Sequence, residues 1–247
     1  MDTADHSRWY SFWFDSPYYH ILYKDRDMEE ASAFMKRLVS FLDLAPDSSI
    51  LDLACGRGRH SIYLNKLGYR VTGVDLSKEN IQWARQYKKD GLEFKVHNMC
   101  DPLPQQYDAV FNLFTSFGYF ESEGQDLQTL HAIRDELKAG GVGVIDFMNA
   151  ERVRDELVPS ETKEIDGIVF HISKRFEDGH IIKDIHFEDR QRSFNFSERV
   201  KSLTLDDFER YFATAGLRLT HTFGTYELNT YERETSDRLI MIFEPAT

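Results

Sequence analysis

Hydrophobic positions follow three successive rhythms along this chain. The first is helical. An aromatic-rich stretch (Trp9, Tyr10, Phe12, Trp13, Phe14, Tyr18, Tyr19 and Tyr23) leads into Ala31, Phe34, Met35, Leu38 and Leu42 at helical spacing. From Ile50 short apolar runs alternate with amphipathic stretches. The runs predict strands near 50–53, 70–75, 92–97, 107–113 and 142–148. Helices are predicted between them, near 59–67, 77–89 and 124–138, with Gly140-Gly141 closing the last one as a C-cap. Such alternation implies a parallel sheet with right-handed crossovers. Over 160–203 the period drops to two, as in Ile168-Val-Phe-His-Ile172 and His180-Ile-Ile-Lys-Asp-Ile185, with Asp178-Gly179 as a hairpin turn between them. This predicts an antiparallel β insertion. Thr204 then caps a predicted helix over 205–215, with Phe208, Tyr211 and Phe212 on one face. Strands near 217–224 and 237–243 follow.

These rhythms divide the chain into an N-terminal helical segment (1–47), an α/β core (48–158 and 204–247) and an antiparallel insertion (159–203). Hydrophobic residues make up 41% of the 247 positions, enough for a packed core rather than disorder. A formal net charge of −12 repels phosphate backbones and argues against nucleic acid as the main partner. No apolar run approaches the ~18 residues that would span a bilayer, so no membrane partner is expected. The two cysteines, Cys55 and Cys100, form no CxxC, and Met1–His6 shows no basic and apolar leader. The expected location is the cytoplasm. The nine histidines form no metal-binding motif, and His180 and His186 read as solvated, so no metal is expected.

The chemistry begins at Ile50-Leu-Asp-Leu-Ala-Cys-Gly-Arg-Gly-Arg-His60. A strand runs into a turn at Gly56 and Gly58, and a helix follows through Ile62, Leu64 and Leu67. Two positions without a Cβ allow backbone to approach a ligand closely. Asp75 ends the next strand, nineteen residues after Gly56, close to the offset of about 20 expected for a carboxylate that binds ribose hydroxyls. Together they point to a nucleoside-containing cofactor. The turn reads Gly56-x-Gly58-x-x-Ser61, without the third glycine of the dinucleotide fingerprint. That argues against a nicotinamide-dependent oxidoreductase, which stays open as an alternative beside a non-catalytic cofactor-binding or oligomerisation protein.

The order Asp52-x-Ala54-x-Gly56-x-Gly58 resembles motif I of class I S-adenosylmethionine-dependent methyltransferases. The resemblance continues through Gly73-Val-Asp75-Leu-Ser77, Tyr107-Asp-Ala-Val-Phe111 and Leu137-Lys-Ala-Gly-Gly141, in the family's order. It implies a Rossmann-like seven-stranded sheet with the last strand antiparallel, and S-adenosylmethionine as cofactor. It places the backbone of Ala54, Gly56 and Gly58 against the methionine moiety, and Asp75 on the ribose beside Leu76. Asp52 would bind the cofactor or orient the turn. Asn98 stands where the family usually has an acid that meets the adenine amino group, and Met99 would line the ring. Asn112 would lie near the transferable methyl. The segment from Trp13 to Arg26 looks like the lid of small-molecule methyltransferases, with Tyr19 and Arg26 turned to the cofactor; Arg59 competes with Arg26 for the cofactor's carboxylate. The implied reaction is in-line attack on the sulfonium methyl by a small acceptor, with nitrogen favoured over oxygen or carbon. A general base is needed only for a protonated acceptor. Its candidates are His20, Tyr19, Tyr119 and His171. The insertion would hold substrate or form a homodimer.

Overall fold

Nearly continuous apolar runs belong to strands covered on both faces. The computed structural model, which describes residues 9–24 and 28–246, joins five of them in one sheet. Three helices come first: α1 (Trp9–Asp15), α2 (Pro17–Leu22) and α3 (Met28–Phe41). The alternating region follows as β1 (Ser49–Leu53), α4 (Arg59–Lys66), β2 (Arg70–Asp75), α5 (Lys78–Ala84), β3 (Leu92–Val96), β4 (Tyr107–Asn112), α6 (Glu123–Glu136) and β5 (Leu137–Met148). After α7 (Ala150–Asp155) comes a separate sheet of β6 (Ser160–Ile165), β7 (Ile168–Glu177), β8 (His180–Asp189) and β9 (Arg192–Lys201). The chain then returns through α8 (Leu205–Ala215), β10 (Leu217–Phe223) and β11 (Arg238–Pro245).

The main sheet has seven strands in the order β10-β11-β5-β4-β1-β2-β3, and only β11 runs antiparallel to its neighbours. This is the fold the resemblance implies. β1 pairs with β2 on one side and β4 on the other. The strand order therefore reverses at β1, leaving a crevice outside the carboxyl ends of β1 and β4. Ile50 faces a core layer with Phe34, Met35, Leu38, Leu64 and Ile81, whereas Leu51 and Leu53 face another with Leu130, Ile133, Phe208 and Phe212. The apolar side of α8 packs as expected, and Thr204 forms a reciprocal capping box with Asp207.

Two expected helices end early. α5 stops at Ala84 and continues only as one 3-10 turn, Arg85–Tyr87. α6 stops at Glu136, and Gly140-Gly141 is not its C-cap. Leu137 is already extended (φ −83°, ψ 134°) and pairs with Tyr107, so the chain passes directly into β5. The register then shifts, with Ala109 opposite Val142. The glycine pair absorbs that irregularity, with Gly140 at φ +77°.

In the second sheet Asp178-Gly179 forms its hairpin with φ of +48° and +74°, as the sequence predicts. Ile168, Phe170 and Ile172 of β7, with Ile185 and Phe187 of β8, bury one face. Trp13 and Leu22 lie against this face, and Trp13 is fully buried. The aromatic side of the N-terminal segment thus meets the insertion.

Candidate active site

β1 ends in a turn with left-handed φ at Ala54 (57°), Gly56 (55°) and Gly58 (77°). Backbone and side-chain bonds hold it. The Cys55 N–H donates to the Val74 carbonyl at 2.9 Å, and the Gly56 N–H to Asp75 Oδ2 at 2.8 Å. Asp75 Oδ1 accepts the Ser77 N–H at 2.8 Å, so one carboxylate joins the turn to the start of α5. Burial raises its pKa, the Ser77 and Gly56 N–H groups oppose that, and the nearby Asp15 carboxylate adds to it. Each oxygen of Asp75 retains a lone pair for a hydroxyl donor.

The two glycines differ. A Cβ at Gly56 would have nothing within 4 Å, so this residue opens onto free space. A Cβ at Gly58 would lie 2.5 Å from Phe94 Cε1. Glycine is needed there for α4 to approach β3. Asp52 is likewise buried, and its Oδ2 accepts the Ser61 hydroxyl at 2.5 Å. Burial pushes its pKa up to about 7. The side chain of Asp52 and the packing at Gly58 thus support the turn from beneath, and for Asp52 this is the turn-orienting arrangement, one of the two roles expected of it.

Beside the turn, Leu76 is 46% exposed directly after Asp75. Asn98 is exposed, and its Oδ1 accepts the Cys100 N–H at 3.2 Å. Asn112 is fully buried at the end of β4. Its Nδ2 donates to the Leu53 carbonyl at 3.4 Å and lies 3.8 Å from Met99 Sδ, while its Oδ1 has no partner. Asp15 Oδ1 and Arg57 Nε are also buried and unpaired. Unpaired acceptors and a donor, beside the open position at Gly56, suit a polar nucleoside ligand with a charged amino-acid tail.

The N-terminal helices reach this edge. His20 Nε2 lies 3.1 Å from Asn80 Oδ1, and Asn80 Nδ2 donates to the Phe14 carbonyl at 3.5 Å. Burial, and then the Arg57 cation, lower the His20 pKa to about 4. Phe14 meets Tyr19 at 5.0 Å and Tyr119 at 5.5 Å, both edge to face. His20, Tyr19 and Tyr119 are thus brought together. His171 is not. Phe170 and Ile172 face inward on β7, so the period of two turns His171 to the outer side, stacked 6.2 Å from His186. It lies apart from the other three base candidates. Arg26 lies outside the described residues.

Sequence reasoning missed Glu198, whose Oε1 accepts Trp13 Nε1–H at 2.6 Å and the Tyr23 hydroxyl at 2.7 Å. An acid on the apolar face of an alternating strand (Phe194, Phe196, Glu198, Val200) was its only signal. Among the described residues, no group of three or more His, Cys, Asp or Glu could hold a metal, and no helix is long and apolar enough to cross a membrane.

Residues 50–141 match the family described as "Methyltransferase domain". The dTDP-3-amino-3,4,6-trideoxy-alpha-D-glucopyranose N,N-dimethyltransferase of Streptomyces venezuelae is 26% identical over 72% of this chain and 78% of its own length. The glycine/sarcosine N-methyltransferase of Aphanothece halophytica is 33% identical over 43% of each chain. The crystal structure of an S-adenosylmethionine-dependent methyltransferase from Clostridium acetobutylicum superimposes with a TM-score of 0.79, at 20% identity, over 93% of this chain and 96% of that one.

Proposed function

We propose that this chain, which carries a class I S-adenosylmethionine-dependent methyltransferase domain, methylates the amine of a small acceptor beneath a lid formed by α1 and α2. One observation carries the reading. Phe14 of α1 meets both Tyr19 of α2 and Tyr119, just past β4, where the open sheet places its ligand crevice. Aromatic walls there exclude water and present π faces to a cationic centre. The names of two relatives, a sugar N,N-dimethyltransferase and a glycine/sarcosine N-methyltransferase, favour nitrogen over oxygen.

When bound, S-adenosylmethionine supplies an electrophilic methyl on a sulfonium leaving group. In this proposal Asp75 accepts from the ribose hydroxyls and Gly56 lets the ligand approach the backbone beside Ala54. Leu76 and Met99 flank the adenine, Asn98 accepts from its amino group, and Asn112 Oδ1 offers an acceptor near the reacting centre. Near-attack alignment alone supplies roughly 7–11 kcal/mol of such a reaction's acceleration. His20, with a pKa of about 4, is too weak a base for an alkylammonium. The amine therefore enters neutral, and His20 and the tyrosines orient it. The free cysteines Cys55 and Cys100 suit a reducing cytoplasm. We also propose a homodimer through the outer face of β6–β9, a concavity of about 490 Å³ that includes Thr162, His171, Ser173 and Asn195. Sedimentation of a monomer at micromolar concentration would exclude it.

The test is methyl transfer from labelled S-adenosylmethionine to a dTDP-linked 3-amino sugar, glycine and a catechol. Label on nitrogen supports the reading. Label only on the catechol oxygen, or turnover with none, refutes amine methylation.

A further inference from the structure

Two residues just beyond β4 have costly backbone conformations. Phe114 and Thr115 both sit at left-handed φ, 57° and 59°. Neither is glycine, and Thr115 is β-branched, so crowding opposes both. Residues of this kind persist only where their surroundings hold them.

The holding group is an ion pair between the main sheet's β5 and β11. Asp146 is fully buried. Its Oδ2 accepts the Phe114 N–H at 2.8 Å, and its backbone carbonyl accepts the Thr115 N–H at 2.9 Å. Its Oδ1 accepts Arg238 Nε–H at 2.8 Å, and Arg238 Nη2 donates to Thr115 Oγ1 at 3.0 Å. The Tyr226 hydroxyl reaches Asp146 Oδ2 at 3.3 Å. The Phe114 ring stacks on His60 at 4.8 Å and on Tyr226 at 5.2 Å, with the Arg59 guanidinium 4.2 Å from its centroid. His60 and Arg59 open α4, directly after the glycine turn. A mere connection from β4 to α6 needs no aromatic ring at a left-handed position, and glycine would serve it with less strain. The ring is held there so that the β4 end and the glycine turn keep a fixed spacing.

We infer that Asp146 and Arg238 are positioning residues for methyl transfer, acting through Phe114 and Thr115 to fix segment 112–116 against the glycine turn. The inference rests on the reading above, in which the β4 end borders the acceptor.

The test compares Arg238→Lys, which keeps the charge beside Asp146 but loses the planar fork, with Thr115→Gly and the double variant. Melting confirms folding, calorimetry gives S-adenosylhomocysteine affinity, and amide exchange follows Phe114 and Thr115. Turnover uses the dTDP-linked 3-amino sugar. Arg238→Lys should speed exchange at both amides about tenfold, leave cofactor affinity within about threefold, and lower kcat about 10- to 100-fold at similar KM, the scale of a small misalignment. Adding Thr115→Gly removes the crowding and should recover part of that kcat. Unchanged exchange at Phe114, unchanged kcat, or a double variant no better than Arg238→Lys overturns the inference. If Arg238→Lys fails to fold, Thr115→Val, which loses only the hydroxyl bond, must speed exchange at the same amides, and failure to do so counts equally. Absent turnover in the unaltered protein refutes the acceptor, while the exchange arm still decides the clamp.

Discussion

Replacing Glu198 with alanine should release the N-terminal helices while leaving the main sheet folded. Its Oε1 accepts from both Trp13 Nε1 and the Tyr23 hydroxyl. Lys183 lies 3.8 Å from its Oε2 and donates to Tyr23. The Glu198 and Lys183 side chains are only 14% and 16% exposed, so solvent screens them little. Hydrogen bonds to a charged group contribute about 1.5–3 kcal/mol each. Truncation therefore costs the docked state about 3–6 kcal/mol. The Lys24–Asp166 tie is exposed and contributes at most about 1 kcal/mol. At about 1.4 kcal/mol per decade, amide protection over residues 13–23 should fall by about 10²- to 10⁴-fold, measured by hydrogen exchange with mass spectrometry. Glu198→Gln keeps one acceptor oxygen for both donors without the charge and should lose roughly half as much free energy. S-adenosylhomocysteine should restore protection by favouring the closed arrangement. Protection within about threefold of the unaltered protein, or an equal loss across the central strands, would refute the idea of a separable segment latched through Glu198.

Glu136 is buried, with Oε2 unpaired and Oε1 accepting the Leu103 N–H at 2.8 Å. Burial raises its pKa to about 7, so its favourable contribution is full below the unfolded value near 4.5 and lost as pH rises through 7. Denaturation of Glu136→Gln should show a gain over the parent that is larger at pH 8 than at pH 5, by up to about 3 kcal/mol; an identical difference at both pH values would contradict it. Gly56→Ala should fold, at a cost of about 1–2 kcal/mol for a left-handed residue, and lose S-adenosylhomocysteine binding. Gly58→Ala should fail through stability instead, because its Cβ would meet Phe94 at 2.5 Å; equal melting of the two variants refutes that division. The rate of amine methylation should rise with pH along the acceptor's own ionisation, without a histidine inflection near 6.5, since His20 remains neutral down to about 4; an inflection near 6.5 that disappears in His20→Gln would show the opposite.

The strand–turn–helix frame of the candidate site was legible. Gly56, Asp75 and the strand before each sit within one strand–turn–helix unit, where local chemistry dictates backbone shape. The fully buried strands were legible because apolar runs of that length have few other uses. Gly140-Gly141 misled because a glycine pair after a helix pattern signals a cap equally well as a bulge. The packing reason for glycine at Gly58 was not legible, because it comes from Phe94, across the helix–sheet layer. Pairings such as Trp13 with Glu198 or Arg238 with Asp146 join residues 185 and 92 positions apart and leave no periodic trace. Single members did leave signs: Glu198 as an acid on the apolar face of an alternating strand, and Asp146 as a carboxylate at the end of the apolar run Val142-Gly-Val-Ile145.

The N-terminal helices hold two surfaces with unequal strength. Toward the insertion they place the buried Trp13, 4.5 Å from the Phe196 ring, and the bonds to Glu198. Toward the main sheet the contacts that join them to α5 and the β4 end include the His20–Asn80 and Phe14–Asn80 bonds and the Phe14–Tyr119 edge contact. Two neutral hydrogen bonds at about 0.5–1.5 kcal/mol each, with an aromatic pair of similar size, put that second set at about 1.5–4.5 kcal/mol. An opening of a few kcal/mol is populated at the per cent level or below, which is ample for ligand exchange. In the proposed lid, opening on this side would uncover Gly56 and Asp75 while Trp13 stayed buried on β7–β9. The helices would then travel with the insertion, and the ligand would enter between α2 and α5. In the exchange experiment this predicts that the cofactor protects Tyr19 and His20 more than Trp13. Equal gains at all three would mean that the segment leaves the insertion as well.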